Sequence, residues 1–120
     1  MTEEVKGNSG ARGGHLSQTT IAELEARAAK ARYHPDGLAA LCGISLRTLE
    51  RHFAARIGKT VETWCREVRC RQARAKIEEG WSGKAVFQEF HFADASHMAR
   101  EFRFFYGQPP RAFVPVCVLA

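Results

Sequence analysis

Arg47, Glu50 and Arg51 stand at i, i+3 and i+4, a spacing that would place all three on one face of a helix. Their side chains suit reading the edges of base pairs. An arginine fork can bond O6 and N7 of guanine, and a glutamate can accept from N4 of cytosine, each good pair discriminating by about 1–3 kcal/mol. A pair within the helix between Glu50 and Arg47 is the alternative use of that carboxylate. Further along, Ser96, Ala99, Arg100 and Arg103 form a second such stripe, with Ala95 and His97 near its start. The two stripes differ in chemistry, since an alanine offers a base pair only contact with a thymine methyl.

Other chemistries fit the chain poorly. It shows no arrangement of nucleophile, base and orienting group, no phosphate-binding loop and no carboxylate dyad, so no enzyme is expected. Cys42, Cys65, Cys70 and Cys117 form no CxxC pair. Cys65 and Cys70 are five apart and fall on different faces of a helix, and His91 and His97 flank a turn without the paired spacing that zinc prefers, so neither a metal nor another cofactor is expected. Helical cysteines are ordinarily small core residues. The sharper alternative is oxidant sensing at Cys65 and Cys70, if Arg66, Arg69 and Arg71 lower their pKa.

Bulk properties agree with a polyanion partner. The 120 residues carry 18 Lys and Arg against 13 Asp and Glu, a net charge of +5 with a pI near 9.3. The opening MTEEVKGNSG is acidic where a secretion signal would be apolar, no apolar run approaches the roughly 18 residues that span a bilayer, and the closing VPVCVLA is far too short. A reduced, cytoplasmic protein without a membrane partner is expected.

Helical elements must hold the two stripes. Residues 1–18 are rich in glycine and polar residues and read as a disordered tail. Thr20-Ile21-Ala22-Glu23 has the form of a capping box, and Ile21, Leu24, Ala28 and Ala31 carry a helix through Arg32. Tyr33-His34-Pro35-Asp36 breaks it. A short helix follows to Cys42, with Leu38, Ala39 and Leu41 as its apolar residues. Gly43 turns the chain and Ser45 caps a helix whose Leu46, Leu49 and Phe53 face inward, leaving Arg47, Glu50, Arg51 and Ala54 outward.

Residues 60–79 read as one long helix with Val61, Trp64, Val68 and Ile77 on its apolar side and Arg66, Arg69, Arg71, Arg74 and Lys76 giving it basic character. Phosphate contact by these cations, Arg66 foremost, competes with pairing to Glu62, Glu67, Glu78 and Glu79; Arg69 is expected to brace the fold. Beyond Gly80, Ser82 caps a helix through Phe90 and Asp94 caps another over Ala95–Tyr106. Gly107-Gln108-Pro109-Pro110 ends it, a last turn at Arg111–Phe113 covers the second lobe, and 114–120 is a tail.

The two flanks of the long helix repeat one pattern. Leu49, Arg51, Phe53 and Gly58 recur as Met98, Arg100, Phe102 and Gly107, each 49 positions later. The predicted fold is therefore all-α: two helix-turn-helix subdomains, 19–59 and 80–113, joined by a central helix. About 19 residues at 1.5 Å each give that helix roughly 28 Å, close to the 34 Å between successive major grooves on one side of a duplex.

Leu38-Ala39-x2-Cys42-Gly43-Ile44-Ser45-x2-Thr48-Leu49-x-Arg51-x-Phe53-x4-Gly58 resembles the first helix-turn-helix of the AraC/XylS family of bacterial transcription regulators. Trp64, Arg69 and Ala73 continue the likeness, which ends at Gly107-x2-Pro110, so that it covers roughly Ala22 to Phe113. The resemblance implies double-stranded DNA as partner, with base contacts by Arg47, Glu50 and Arg51 in the first unit and Ala95, Ser96 and Arg100 in the second. Ser45, Arg66 and Arg103 are the expected phosphate contacts. It also implies contact with RNA polymerase, whereas the effector or dimerisation domain that members commonly carry is not matched in this chain.

Two positions depart from the family pattern. His91 stands where a glycine is usual, and Phe87 where a small alanine lets two helices approach. The turn is then strained or re-routed, Phe87 needs space that the softer Met98 could yield, and the second unit should dock more loosely. These departures motivate the alternative function, a protein-interaction module that kept the fold but lost DNA reading.

Overall fold

The computed structural model describes residues 18–116, so the tail expected at 1–18 falls outside the described residues except for Gln18, as do Cys117 and the last residues of the C-terminal tail. The described residues form α-helices and turns without a strand. They divide into two compact units, with the boundary between Cys65 and Arg66.

In the first unit α1 spans Ile21–Lys30, α2 Pro35–Cys42 and α3 Leu46–Arg56. The capping box at Thr20 is formed as expected: its hydroxyl accepts from the Glu23 amide at 3.1 Å while the Glu23 carboxylate accepts from the Thr20 amide at 3.0 Å. Leu24 and Ala28 are buried, but Ile21 is 54% exposed. The helix stops two residues short of Arg32, because Arg32 and Tyr33 both take positive φ, 56° and 64°. Those two residues turn the chain so that the Tyr33 ring is buried. Its amide donates to the Ala28 carbonyl at 2.8 Å.

Pro35 then opens α2, where its missing N–H removes no helical bond. Gly37 permits close approach to α1, since a Cβ there would lie 3.0 Å from that of Ala31. Leu38 and Ala39 are buried and Leu41 is exposed. Ser45 caps α3 as predicted, and Leu49 and Phe53 enter the core. Phe53 meets Trp64 edge-on, with centroids 5.2 Å apart.

The long helix α4 covers Val61–Glu78, and the Thr60 hydroxyl accepts from the Thr63 amide at its start. Val61, Trp64 and Cys65 are buried within the first unit, and Val68, Cys70, Ala73 and Ile77 within the second. The element read as a spacer is thus part of both cores.

In the second unit α5 spans Gly83–Glu89, α6 Ala95–Tyr106, and a closing 3-10 turn Pro110–Phe113. Ser82 and Asp94 are the caps, as the sequence indicates. Phe113 packs against Phe102 and Tyr106 at 6.0 and 5.4 Å, the covering role expected of it. The repeat holds in three dimensions: Leu49 and Met98, and Phe53 and Phe102, are buried, while Gly58 and Gly107 both adopt positive φ.

The two turns differ by one residue. After α2, Gly43 takes φ 74° and the Ile44 amide donates to the Ala39 carbonyl; after α5, His91 takes φ 63° and the Phe92 amide donates to the Phe87 carbonyl. One residue, Ile44, separates Gly43 from its cap, whereas Phe92 and Ala93 separate His91 from Asp94. The extra Ala93 amide is satisfied by His97 Nδ1 at 3.0 Å. Both outcomes foreseen for the turn at His91 are found: it is one residue longer, and His91 takes a left-handed conformation that costs an L side chain roughly 1–2 kcal/mol and that glycine avoids. Part of that gain is offset by glycine's greater freedom when unfolded, so His91→Gly is expected to raise stability by about 0.5–1 kcal/mol, read as a higher urea midpoint at unchanged slope. Phe87 stays half-buried, while Val86, Phe90 and Phe92 fill the core.

Candidate nucleic-acid interface

Each unit presents the outer face of one helix, α3 in the first and α6 in the second, to solvent. On α3 Arg47, Glu50, Arg51 and Ala54 are exposed, opposite buried Leu49 and Phe53. No ion pair joins Arg47 to Glu50, and none of Arg47, Glu50 and Arg51 has a polar partner among the described residues. Ser45, at the start of this helix, is spent on the cap: its Oγ accepts from the Thr48 amide at 3.1 Å and donates to Thr48 Oγ1 at 2.9 Å. On α6 Ala95, Ser96, Arg100 and Arg103 are exposed and Ala99 is half-buried. Arg100 and Arg103 are likewise unpaired among the described residues.

The cations of α4 are used differently. Arg66 Nε and Nη2 each donate to Glu101 at 2.9 Å, and the guanidinium lies 5.0 and 5.5 Å from the ring centroids of Phe104 and Phe105. Arg69 sits 3.7 Å from the same carboxylate and 4.6 Å from the Phe92 ring centroid, so it braces the fold as expected. Arg74 pairs with Glu78 at 3.0 Å and covers Phe113 and Tyr106; Lys76 pairs with Glu79 and covers Trp81. The Nε and Nη2 edge of Arg66 is held by the Glu101 carboxylate, so a phosphate contact by this side chain would have to use its Nη1 edge.

Glu101 is the residue that sequence reasoning passed over. It is 8% exposed, the one buried charged residue among those described. Burial would raise its pKa, but the hydrogen bond and charge of Arg66, with Arg69 and His97 beyond, outweigh that and hold it below the ordinary 4.5. The signal was present: Met98, Glu101, Phe102 and Phe105 recur at i, i+3, i+4 and i+7, which puts a carboxylate on the buried stripe of α6.

Cys65 and Cys70 are core residues, as helical cysteines ordinarily are. Cys65 and Cys70 are fully buried, and burial, with Glu101 adding to it, pushes the Cys70 thiol up to about 12 despite the neighbouring arginines. A thiolate sensor needs the opposite shift and access to oxidant. No group of histidines, cysteines and carboxylates among the described residues could hold a metal ion, and none of their helices is long and apolar enough to cross a membrane.

Comparison with known families agrees with these two exposed helices on paired helix-turn-helix units. A family model described as a helix-turn-helix domain, of the AraC type, matches residues 38–114. The chain belongs to the AraC-type helix-turn-helix family. No individual curated protein and no solved structure matches it. As an AraC-type domain it is a DNA-binding transcription regulator, and its family is a class of non-enzymatic regulators. The match starts at Leu38, the first buried residue of α2, so α1 with its capping box lies in front of the matched region.

Proposed function

We propose that this AraC-type domain recognises a specific duplex sequence, with α3 reading bases through Arg47, Glu50 and Arg51 and α6 chiefly positioning the domain. The observation that carries the reading is selective pairing. The α4 cations Arg66, Arg69, Arg74 and Lys76 are engaged by carboxylates and rings, while Arg47, Glu50 and Arg51 stay exposed and have no partner among the described residues. Unused hydrogen-bonding groups on an exposed helix face are what base-edge recognition requires. On α6, Ala95, Ser96 and Arg100 are the set expected at base edges, Ala95 with only methyl contact to offer, and Arg100 and Arg103 supply charge for phosphate. Such a regulator would work in the cytoplasm, next to RNA polymerase on the same duplex.

Selection of bound duplexes from a random pool tests this. Enriched sites should hold two half-sites about one helical turn apart, and absence of enrichment at low salt would overturn the reading. Two substitutions divide the roles. Arg51→Ala should cost about 1–3 kcal/mol on the selected site and relax preference at one base pair, whereas Arg103→Ala should weaken all sequences alike and make the salt dependence shallower by about one phosphate contact. Equal, sequence-independent losses would show that the reader is misassigned.

Phe104, 67% exposed on α6, favours the second reading, an interaction module that binds protein through that helix. The same pool decides, because a module without DNA reading enriches nothing.

A further inference from the structure

A cleft of about 470 Å³ opens in the second unit beside α6. Much of its lining is apolar: Ile77 and Met98, both buried, with Pro109, Pro110 and the partly exposed Trp81. Two guanidinium groups, Arg103 and Arg111, border it, and neither has a carboxylate partner among the described residues. Nearby Glu78 and Glu79 are taken by Arg74 and Lys76 and do not line the cleft. Gly83, Ala95 and Ala99 keep it open, since larger side chains there would fill it. A volume in the range of small-molecule sites, apolar surface and a few convergent charges of one sign describe a site for a compact apolar anion.

We propose that this cleft binds a small apolar carboxylate, an aryl or short branched acid whose hydrocarbon lies on Met98 and Ile77 and whose carboxylate is held by Arg111 and Arg103. Because Ala95, Ala99 and Arg103 belong both to the cleft and to the outward face of α6, an occupant competes with DNA for that helix. The binding stands on the cleft alone. The competition rests on the DNA reading above, and the two parts are tested separately.

Titration calorimetry of the whole chain with 2-naphthoate, and with neutral 2-naphthamide as control, tests the binding. For a ligand of this size a Kd of roughly a millimolar or tighter is expected. The naphthamide should bind at least about tenfold more weakly, as should 2-naphthoate to Arg111→Gln, the loss of one charge-assisted contact. Gly83→Phe should abolish binding. A Cβ at Gly83 meets nothing within 4 Å, so the ring can occupy the cleft without displacing backbone. Circular dichroism shows whether each variant folds, and Arg111→Gln carries the test if Gly83→Phe does not.

Absence of heat with 2-naphthoate, equal affinity for the amide, or unchanged affinity in a folded Gly83→Phe each overturns the site. In a second arm, 2-naphthoate should raise the apparent Kd for duplex DNA in the unsubstituted chain but not in Gly83→Phe. If calorimetry shows binding while DNA affinity stays unchanged, competition fails and the site stands.

Discussion

Replacing Glu101 with alanine should destabilise the protein by about 3 kcal/mol, toward the low end for breaking a buried ion pair, because it leaves two arginines facing each other without their shared carboxylate. The lower figure applies because the Arg66 side chain is 32% exposed and can recover some hydration, whereas Arg69 is 13% exposed and has less recourse. Urea denaturation followed by helical circular dichroism measures the loss. The pair need not itself be a large net gain, since removal of both partners is often near neutral. Arg66→Met with Glu101→Leu should therefore be more stable than Glu101→Ala alone, and a double-mutant cycle gives the coupling.

The same carboxylate sets a pH dependence. Its folded-state pKa lies below the ordinary 4.5, so the stabilisation is fully present above that value and is lost as the pH falls through the depressed folded-state value. Acid unfolding should accordingly begin below the usual carboxylate range, and Glu101→Gln should flatten that part of the profile. An unchanged acid limb in Glu101→Gln would show that other carboxylates govern it.

In the first unit the largest loss is expected at Phe53. It is 1% exposed, rests edge-on against Trp64, and its carbonyl accepts from the amides of Ile57 and Gly58. Phe53→Ala keeps the backbone bonds but removes the ring, a change that costs about 3–5 kcal/mol for a phenylalanine in a packed core. That is a large share of the 5–15 kcal/mol that holds a typical domain folded. Trp64 provides the readout: buried at 4% exposure, it should shift its fluorescence to the red in the variant, while Trp81, already 38% exposed, changes little. A variant with unshifted emission and an unchanged urea midpoint would mean that Phe53 does not hold α3 against α4.

How much of this was legible follows from the range over which each feature acts. Caps at Thr20, Ser45, Ser82 and Asp94 could be read because a hydroxyl or carboxylate reaches an amide three residues on, a relation contained within one turn. The 49-residue repeat placed Leu49, Phe53, Met98 and Phe102 inside and Arg51 and Arg100 outside, because helical period alone assigns residues to faces. Consecutive left-handed residues at Arg32 and Tyr33 carry no glycine to announce them; burial of the Tyr33 ring goes with that departure. The single-residue lengthening of the second turn precedes the residues that repeat, Leu49 to Gly58 and Met98 to Gly107, so their constant offset of 49 carries no sign of it.

By itself the chain determined an all-helical pair of helix-turn-helix units, the face that each second helix turns to solvent, and the basic residues available there, because capping, periodicity and charge are written in neighbouring positions. Only the tertiary structure decided which cations are spent. Arg66 and Arg69 converge on Glu101, Arg74 on Glu78 and Phe113, and Lys76 on Glu79 and Trp81, while Arg47, Arg51, Arg100 and Arg103 have no partner among the described residues. The physical reason is distance in the chain. Glu101 lies 35 residues from Arg66, and the cost of burying its charge could be met only once α6 had packed against α4.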